Sequence, residues 1–241
     1  MVVPPLRYLV ADVLRCHPRL YLPLARRFNR AIDGSDRTVS RDTDLVIEAY
    51  PRSGNTFARF AFELAQGRPV KLAHHLHAPA QVIAAAWLNV PALVIIRDPA
   101  DAALSLHIRT PRLSLATCLA SYRRFYRTVE PYRQSFVLAR FETVTRDFGR
   151  VIEAVNARYN TRFVPFIHDA EHEAEVFARM EANHLRTRPT DRIAEQTISR
   201  PAALKEAYKQ KLRQTLDSAA LAGLHAQARQ VYERLVATAD V

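Results

Sequence analysis

The sequence predicts an α/β fold in three layers, with a central, mostly parallel sheet covered by helices on both faces. The first observation is a set of short apolar runs, at residues 45–50, 92–96 and 136–140, which are typical of buried strands. The second is that helical patterns separate these strands, as parallel strands require. The third is the composition of the 241 residues, 49% hydrophobic and 24% charged, which allows a packed core. Neither a repeat nor a linker divides the chain, so we expect one domain over residues 1–241.

The N-terminal helical segment of this prediction, residues 5–31, precedes a core at about 44–236. Its apolar residues recur at helical spacing and include Leu6, Leu9, Val10, Val13 and Leu14. A second, basic helix is predicted at residues 20–31. A basic amphipathic N-terminus can lie on a membrane surface. The alternative, which we favour, is that its apolar stripe packs on the core.

The core elements follow in chain order. Strand 45–50 and a turn lead into a helix at 56–66, which Gly67 ends. An extended segment, a helix and a strand are then predicted at 70–76, 81–87 and 92–96. In the next helix Asp98 suits the N-cap, Pro99 the first position and Asp101 the third, as in a capping box. The remaining elements, in chain order, are a helix at 113–128, a strand at 136–140 and helices at 143–159, 169–183 and 202–236.

Charge and cysteine content limit the classes of protein. The net charge of +11 and the pI of about 10.2 predict attraction to a polyanion, such as a phosphorylated cofactor, an acidic glycan, nucleic acid or an anionic membrane. Cys16 and Cys118 are far apart in sequence, which indicates a reducing compartment and not a disulfide scaffold. No apolar run reaches the roughly 18 residues of a membrane span, and no secretory signal is recognised. We therefore expect a cytoplasmic protein.

The first candidate site is the turn at residues 50–56, Tyr-Pro-Arg-Ser-Gly-Asn-Thr, between a buried strand and a helix. A helix N-terminus presents unpaired N–H groups and the positive end of the helix dipole, so it attracts anions. Gly54 lets an anion approach the backbone, Ser53 and Thr56 add hydroxyl donors, and Arg52 adds a forked cation. The alternative is an ordinary strand-to-helix turn. The Walker pattern G-x-x-x-x-G-K-[ST] is absent.

The second candidate site is again a strand, a turn and a helix. Arg97 lies at the carboxyl end of strand 92–96, where open α/β sheets bind ligands. Ser105 falls about two turns into the next helix, so that both side chains could face one anion. The alternative is that Arg97 pairs with Asp98 or Asp101 and Ser105 bonds its own helix. Two such sites in one chain favour anion binding.

Together the two motifs resemble those of sulfotransferases. Tyr-Pro-Arg-Ser-Gly-Asn-Thr-Phe at residues 50–57 is similar to the 5′-phosphosulfate loop of that family, most often Tyr-Pro-Lys-Ser-Gly-Thr-Thr-Trp. Arg-Asp-Pro-x-Asp-x-x-x-Ser at residues 97–105 is similar to its 3′-phosphate motif, Arg-Asn-Pro-x-Asp-x-x-x-Ser, in the same order. The resemblance covers residues 45–106. It implies a P-loop NTPase-like fold that binds 3′-phosphoadenosine-5′-phosphosulfate (PAPS) as co-substrate without a metal.

The resemblance also implies roles for single residues. It places Arg97 and Ser105 on the 3′-phosphate, and Phe57 where the family often has an aromatic residue against adenine. On the 5′ side it implies a set of donor-binding residues, namely Arg52, Ser53, Gly54, Asn55 and Thr56.

The histidines at positions 74, 75 and 77 lie between the two motifs. The family has Lys-Thr-His-Leu-Pro here, and His75-Leu76 matches its His-Leu. The resemblance therefore implies that His75 is the general base, beside Arg52, which would stabilise charge on the leaving phosphate. The alternatives are histidines without a catalytic role, and a metal site. The metal site is disfavoured because no Cys, Asp or Glu completes a ligand set nearby.

Two positions depart from the family pattern. Arg52 replaces the commoner Lys, as in some carbohydrate sulfotransferases. The C-terminal segment that closes over the 3′-phosphate, Arg-Lys-Gly with Gly-x-x-Gly-x-x-Lys, has no clear copy. Its candidates are residues 186–189 and 199–201, of which we choose Arg200, with Lys205 as a helper. A solvated basic stretch is the alternative.

Other functions compete with this one. A nucleotide-dependent phosphotransferase would use the same architecture, but the Walker Lys and an Asp for Mg²⁺ are not evident. A basic module without catalysis is the second alternative, and a family member that binds the nucleotide without reacting is the third. The basic residues are dispersed and no nucleic-acid motif occurs, so we do not expect a nucleic-acid partner. The expected acceptor is a small molecule or a glycan, through a hydroxyl or an amine.

Overall fold

The computed structural model describes residues 6–33, 36–187 and 203–241. Two helices, α1 (Leu6–Leu14) and α2 (Pro18–Asp33), precede the core. The strands are β1 (Leu45–Ala49), β2 (Leu72–His74), β3 (Ala92–Ile96) and β4 (Val137–Arg140). The core helices are α3 (Asn55–Gln66), α4 (Pro79–Leu88), α5 (Pro99–Arg109), α6 (Leu115–Val129), α7 (Phe141–Arg146), α8 (Phe148–Tyr159), α9 (Ala170–Thr187), α10 (Ala203–Leu216) and α11 (Ala222–Val236). A 3₁₀ helix, Glu130–Ser135, joins α6 to β4.

The four strands form one parallel sheet in the order β2-β1-β3-β4. Leu45 is opposite Leu72, Val46 is opposite Ala92, and Leu93 is opposite Val137. The crossover between β1 and its neighbours places the carboxyl ends of all four strands at one edge. The predicted parallel sheet is confirmed, and that edge is where both candidate motifs begin.

Alternate strand residues contribute to two hydrophobic cores. Val46, Val94 and Leu138 pack with residues of α4, α5, α6, α10 and α11. Ile47, Leu93 and Val137 pack on the opposite side with residues of α3, α7, α8 and α9. Helices thus cover both faces of the sheet, and the predicted three-layer α/β/α fold is confirmed.

Some predicted helices are divided. The helix expected at 143–159 is two helices, because Asp147 leaves the helical conformation and its carboxylate caps α8 at the N–H of Arg150. The helix expected at 202–236 is α10 and α11, separated at residues 217–221. Asp98 caps α5 as predicted, since its carboxylate accepts from the N–H groups of Ala100 and Asp101.

The apolar stripe of α1 does not pack on the core, so our preferred interpretation of it was wrong. Its exposed members are Leu6 (76%), Leu9 (39%), Val10 (50%) and Val13 (46%). The other side of α1 contacts α6 instead: Ser121 donates to Asp12 at 2.6 Å, and Tyr8 donates to Ser121 at 3.5 Å. Within the three described segments no helix is both long and apolar enough to cross a membrane.

Candidate functional site

The candidate site lies at the carboxyl edge of the sheet, where three loops meet. β1 leads into the turn before α3, β2 leads into the histidines, and β3 leads directly into Arg97. Parallel pairing of β1 with both β2 and β3 holds these loops side by side. The topology therefore brings together residues that are up to about 50 positions apart in the sequence, as ligand sites of open α/β sheets require.

The turn between β1 and α3 has an uncommon backbone. Arg52 has a φ of 70° and Gly54 a φ of 98°, both in the left-handed region. Gly54 occupies the N-cap of α3, so no side chain caps the first N–H groups of the helix. A Cβ at Gly54 would lie 3.2 Å from Cδ2 of Phe141. The backbone conformation therefore favours glycine at this position, and a Cβ would also lie close against Phe141.

Buried polar side chains line the same turn. Ser53 is 1% exposed and Asn55 is 3% exposed. Neither the oxygen nor the nitrogen of the Asn55 amide has a hydrogen-bond partner among the described residues. A buried amide without partners costs free energy, about 1–3 kcal/mol for each unmade bond. Such a group at a helix N-terminus is typical of a site that a polar ligand completes.

Two contacts join the motifs. Arg52 donates from Nε to Oγ of Ser105 at 3.2 Å, and Arg97 donates from Nη1 to the carbonyl oxygen of Arg52 at 3.0 Å. Tyr122 donates to the carbonyl oxygen of Arg97 at 2.6 Å, which fixes the backbone at the end of β3. Two guanidinium groups and a hydroxyl thus converge in a small region, an arrangement suited to an anion.

The carboxylates near Arg97 have partners of their own. Asp98 caps α5, and Oδ2 of Asp98 lies 3.5 Å from Nη1 of Arg229. Asp101 pairs with Arg213 of α10. From the sequence, Asp101 was expected in a capping box, and pairing of Arg97 with Asp98 or Asp101 was the alternative. In the structure the ion pairs of these two acids are instead with Arg229 and Arg213.

His75 lies beside the turn. Its Nε2 is 3.0 Å from Oγ1 of Thr56, and its Nδ1 is 2.7 Å from Nδ1 of His74. One of the two facing Nδ1 atoms must carry the proton and the other must accept it. When Nδ1 of His75 carries it, the lone pair of Nε2 accepts from the hydroxyl of Thr56, and the hydroxyl of an acceptor could take the place of Thr56. His74 then holds His75 in the tautomer that a general base needs.

Burial keeps these histidines neutral. Loss of hydration lowers the pKa of His75 and of His74 well below 6.5. It lowers the pKa of His77 to about 4, although His77 also donates from Nδ1 to the carbonyl oxygen of Ala49 at 2.9 Å. At neutral pH all three imidazoles are therefore uncharged.

Glu48 in the middle of β1 is a site residue that sequence reasoning missed. It is fully buried, and loss of hydration raises its pKa to about 8. Its Oε1 accepts from the N–H of Leu76 at 2.9 Å and from Nε2 of Gln81 at 3.0 Å. The residues on either side of Leu76 have left-handed backbones, φ 58° at His75 and φ 48° at His77. Glu48 therefore holds the strained histidine loop in place. The sequence signal was a single acid within an apolar run.

The side chain of Phe57 packs in the core. Phe57 is 4% exposed and lies among other rings, in the packing that was the alternative interpretation. The centroids of these rings are within 6.4 Å and belong to Phe148, Phe166, His168 and Phe177. An adenine contact by Phe57 stays a prediction. Arg200 lies outside the described residues.

Among the described residues, the histidine loop belongs to no candidate metal cluster. In the part of the chain that the structure describes, no group of three or more His, Cys, Asp or Glu side chains could hold a metal ion. The three histidines of the loop instead contact one another, Thr56 and the backbone of β1.

Among solved structures, mouse sulfotransferase SULT7A1 complexed with PAP is similar to this chain. The likeness covers 78% of this chain and 90% of that protein, with 15% sequence identity and a TM-score of 0.42. We draw no conclusion from a likeness this distant. No protein-family model and no curated protein matches the chain.

Proposed function

We propose that this protein is a sulfotransferase, which transfers a sulfuryl group from PAPS to an acceptor hydroxyl or amine. The observation that carries the proposal is the contact between Arg52 and Ser105, at 3.2 Å. It joins the residues that resemble a 5′-phosphosulfate loop to those that resemble a 3′-phosphate motif. One nucleotide with phosphates at both positions could therefore be bound by a single, continuous set of donors.

In this proposal the turn before α3 binds the 5′-phosphosulfate. The free N–H groups of the first helical turn and the buried Asn55 amide would donate to it, and Arg52 would add charge. Arg97 and Ser105 would bind the 3′-phosphate. On binding, Arg52 would exchange its contact with Ser105 for a contact with a phosphate oxygen.

The chemical step is an in-line displacement at sulfur. The acceptor oxygen or nitrogen forms a bond to sulfur while the bond from sulfur to the bridging oxygen of the 5′-phosphate breaks. The acceptor proton goes to Nε2 of His75, which is neutral because burial lowers its pKa. Arg52 and the loop N–H groups stabilise the negative charge that remains on the phosphate of the departing 3′-phosphoadenosine-5′-phosphate (PAP). None of these steps requires a metal.

The acceptor and the location are further parts of the proposal. The histidine loop offers a neutral base to an acceptor, so a glycan or a small molecule with a hydroxyl or an amine is the proposed acceptor class. A cytoplasmic location is supported by Cys16 and Cys118, which are both free thiols.

Calorimetric titration with PAP in the presence of a chelator tests the donor site. We expect micromolar binding that Arg97→Ala weakens by about 10- to 100-fold, the scale of a lost charge-assisted hydrogen bond of about 1.5–3 kcal/mol. Arg150→Ala, an exposed arginine on α8, is the matched control and should leave the affinity unchanged. No heat with PAP, together with binding of ATP that needs Mg²⁺, would refute the sulfotransferase and favour a phosphotransferase.

A further inference from the structure

The N-terminal helices carry most of the large exposed apolar side chains among the described residues. Of the eleven large exposed apolar side chains among the described residues, seven lie on α1 and α2. Trp87, at the end of α4, is an eighth and is 55% exposed. We call this set the apolar face, and its members are Leu6, Leu9, Val10, Val13, Leu20, Leu24, Phe28 and Trp87. Apolar residues concentrated on two helices in this way mark an interaction surface.

The apolar face follows the helical repeat. Leu20, Leu24 and Phe28 are spaced by four residues and therefore lie along one side of α2. The opposite side of α2 is anchored, since Ala25 is buried and Arg26 donates to Thr38 at 3.0 Å. Each helix thus presents one apolar side to solvent while its other side is fixed to the protein.

Trp87 lies beside these helices. The guanidinium carbon of Arg19, on α2, is 5.9 Å from the centre of the Trp87 ring. The N–H of Ala80, in the first turn of α4, donates to the carbonyl oxygen of Arg15 at 2.8 Å. α4 is therefore bonded to the segment between α1 and α2, and its tryptophan extends the apolar face with a side chain that favours membrane interfaces.

The surroundings of the apolar face are basic. Residues 6–33, which span both helices, contain six arginines and two acids, Asp12 and Asp33. Asp12 is buried and pairs with Arg124 of α6, so it presents no negative charge at the surface. Arg26 pairs with Asp36, which follows α2. The segment nevertheless keeps an excess of positive charge, which attracts an anionic partner.

An arginine groove borders α1. A depression of about 240 Å³ is lined by Arg123, Arg124, Arg127 and Thr128 of α6, with Ala120. Arg124 and Thr128 are also among the residues that hold α1 and the turn after it, through Asp12 and Cys16. A second depression of about 280 Å³ continues from Arg123 and Arg127 to α11, where Gln227, Gln230 and Arg234 line it. Phosphate groups are the anions that such a forked, multivalent set of donors fits best.

We propose that the apolar face docks on an anionic membrane surface, with its side chains in the interfacial region and lipid phosphates in the arginine groove. A basic helix pair with Leu, Phe and Trp on one side is the pattern of an interfacial segment. A second copy of the chain fits less well, because a symmetric contact would bring identical basic surfaces together. The proposal does not depend on the proposed sulfotransferase activity.

Co-sedimentation of the full chain with lipid vesicles tests the docking. We expect binding to vesicles of phosphatidylcholine mixed with phosphatidylglycerol, weaker binding to phosphatidylcholine alone, and loss of the difference at high salt. Val10→Glu and Phe28→Glu should each weaken binding by about tenfold or more, since they place a carboxylate in the interface. Ile167→Glu is the matched control, because Ile167 is 64% exposed but lies before α9, outside the apolar face.

The arginine groove has its own test. Arg127→Ala should weaken binding to the anionic vesicles by about fivefold and leave the melting temperature unchanged. Equal losses from Val10→Glu and Ile167→Glu would overturn the proposal, and so would failure of the wild-type chain to bind either vesicle. A wild-type dimer that Val10→Glu dissociates, with no vesicle binding, would instead make the apolar face an interface between copies.

Discussion

The guanidinium carbon of Arg97 lies 4.1 Å from the centre of the Phe141 ring. The same ring faces Gly54, where a Cβ would come within 3.2 Å of it. Phe141 is the first residue of α7 and directly follows β4. Its ring lies between Gly54 of the first motif and Arg97 of the second. One aromatic side chain therefore fixes both the orientation of Arg97 and the path of the Gly54 turn.

Phe141→Leu should weaken PAP binding while the fold is kept. Loss of the ring removes the cation–π contact of Arg97, worth about 0.5–2 kcal/mol, so we expect a dissociation constant about 3- to 30-fold higher by calorimetry. Phe125→Leu, a buried phenylalanine of α6, is the control for the general cost of such a change. Equal affinities in the two variants would show that Phe141 only fills space.

Gly54→Ala should impair both stability and nucleotide binding, in contrast to Gly67→Ala. Both glycines have positive φ, but Gly67 ends α3 at φ 59° and has nothing within 4 Å of the position a Cβ would take, whereas Gly54 has φ 98° and Phe141 beside it. Gly67→Ala should therefore cost about 1 kcal/mol and leave PAP binding intact. Gly54→Ala should cost more and weaken PAP binding at least tenfold, measured by thermal melting and calorimetry. If the two variants bind PAP alike, the Gly54 turn is not a binding element.

The sequence allowed the sheet to be predicted because its strands are short and apolar. β3, Ala92–Ile96, has the predicted bounds, since every one of its residues is buried and the pattern is continuous. The strand-to-helix turns that carry the two candidate motifs could also be predicted, because each follows such a strand and opens a helix. The pattern could not show how far apart the two motifs lie in space, because that distance depends on the strand order β2-β1-β3-β4.

Other features depend on contacts that no local pattern contains. Glu48 looks like a lone polar residue in a strand, yet its partners Leu76 and Gln81 are 28 and 33 positions away. The stripe on α1 was expected to face the core because it is apolar, but the polar residue Asp12 bonds Ser121 and turns the stripe outwards. The buried side of α1 is the one that carries Asp12 together with Tyr8, which packs against the core.

His75→Ala should abolish most of the transferase activity without weakening PAP binding. A general base contributes about 10²- to 10⁴-fold, so the turnover number should fall by that factor in an assay that follows sulfuryl transfer from PAPS. Calorimetry with PAP should give an affinity close to that of the wild-type protein. His172→Ala, a partly exposed histidine of α9, is the control. A variant with full activity would remove His75 from the proposed mechanism.

The pH profile of the reaction should report the burial of His75. A base is active when deprotonated, and burial lowers the pKa of His75 well below 6.5. The rate constant kcat/KM should therefore stay level as pH falls through 6.5 and decline only at more acidic values. An acid limb centred at or above 6.5 would contradict a buried, neutral base in the free enzyme.

Glu48→Gln should reduce the loss of folding stability that occurs as pH rises from mildly acidic to mildly alkaline values. Burial raises the pKa of Glu48 from 4.5 to about 8 in the folded protein, so the folded state holds the proton more tightly than the unfolded chain. The stabilisation is complete below about 4.5 and is lost as pH rises through 8. Gln keeps an oxygen for the N–H of Leu76 but cannot ionise.

Melting temperatures at pH 5 and pH 8.5 measure this effect. The buried histidines act in the opposite direction as pH falls, but both proteins contain them, so the difference between the proteins isolates Glu48. At pH 8.5 we expect Glu48→Gln to melt a few degrees above the wild-type protein, at about 2–4 °C for each kcal/mol. Glu153→Gln, at an exposed position of α8, should follow the wild-type curve. If the melting temperatures of the wild-type protein and Glu48→Gln change with pH in parallel, Glu48 does not titrate within this range. The histidine loop that Glu48 holds would then have to stabilise its carboxylate.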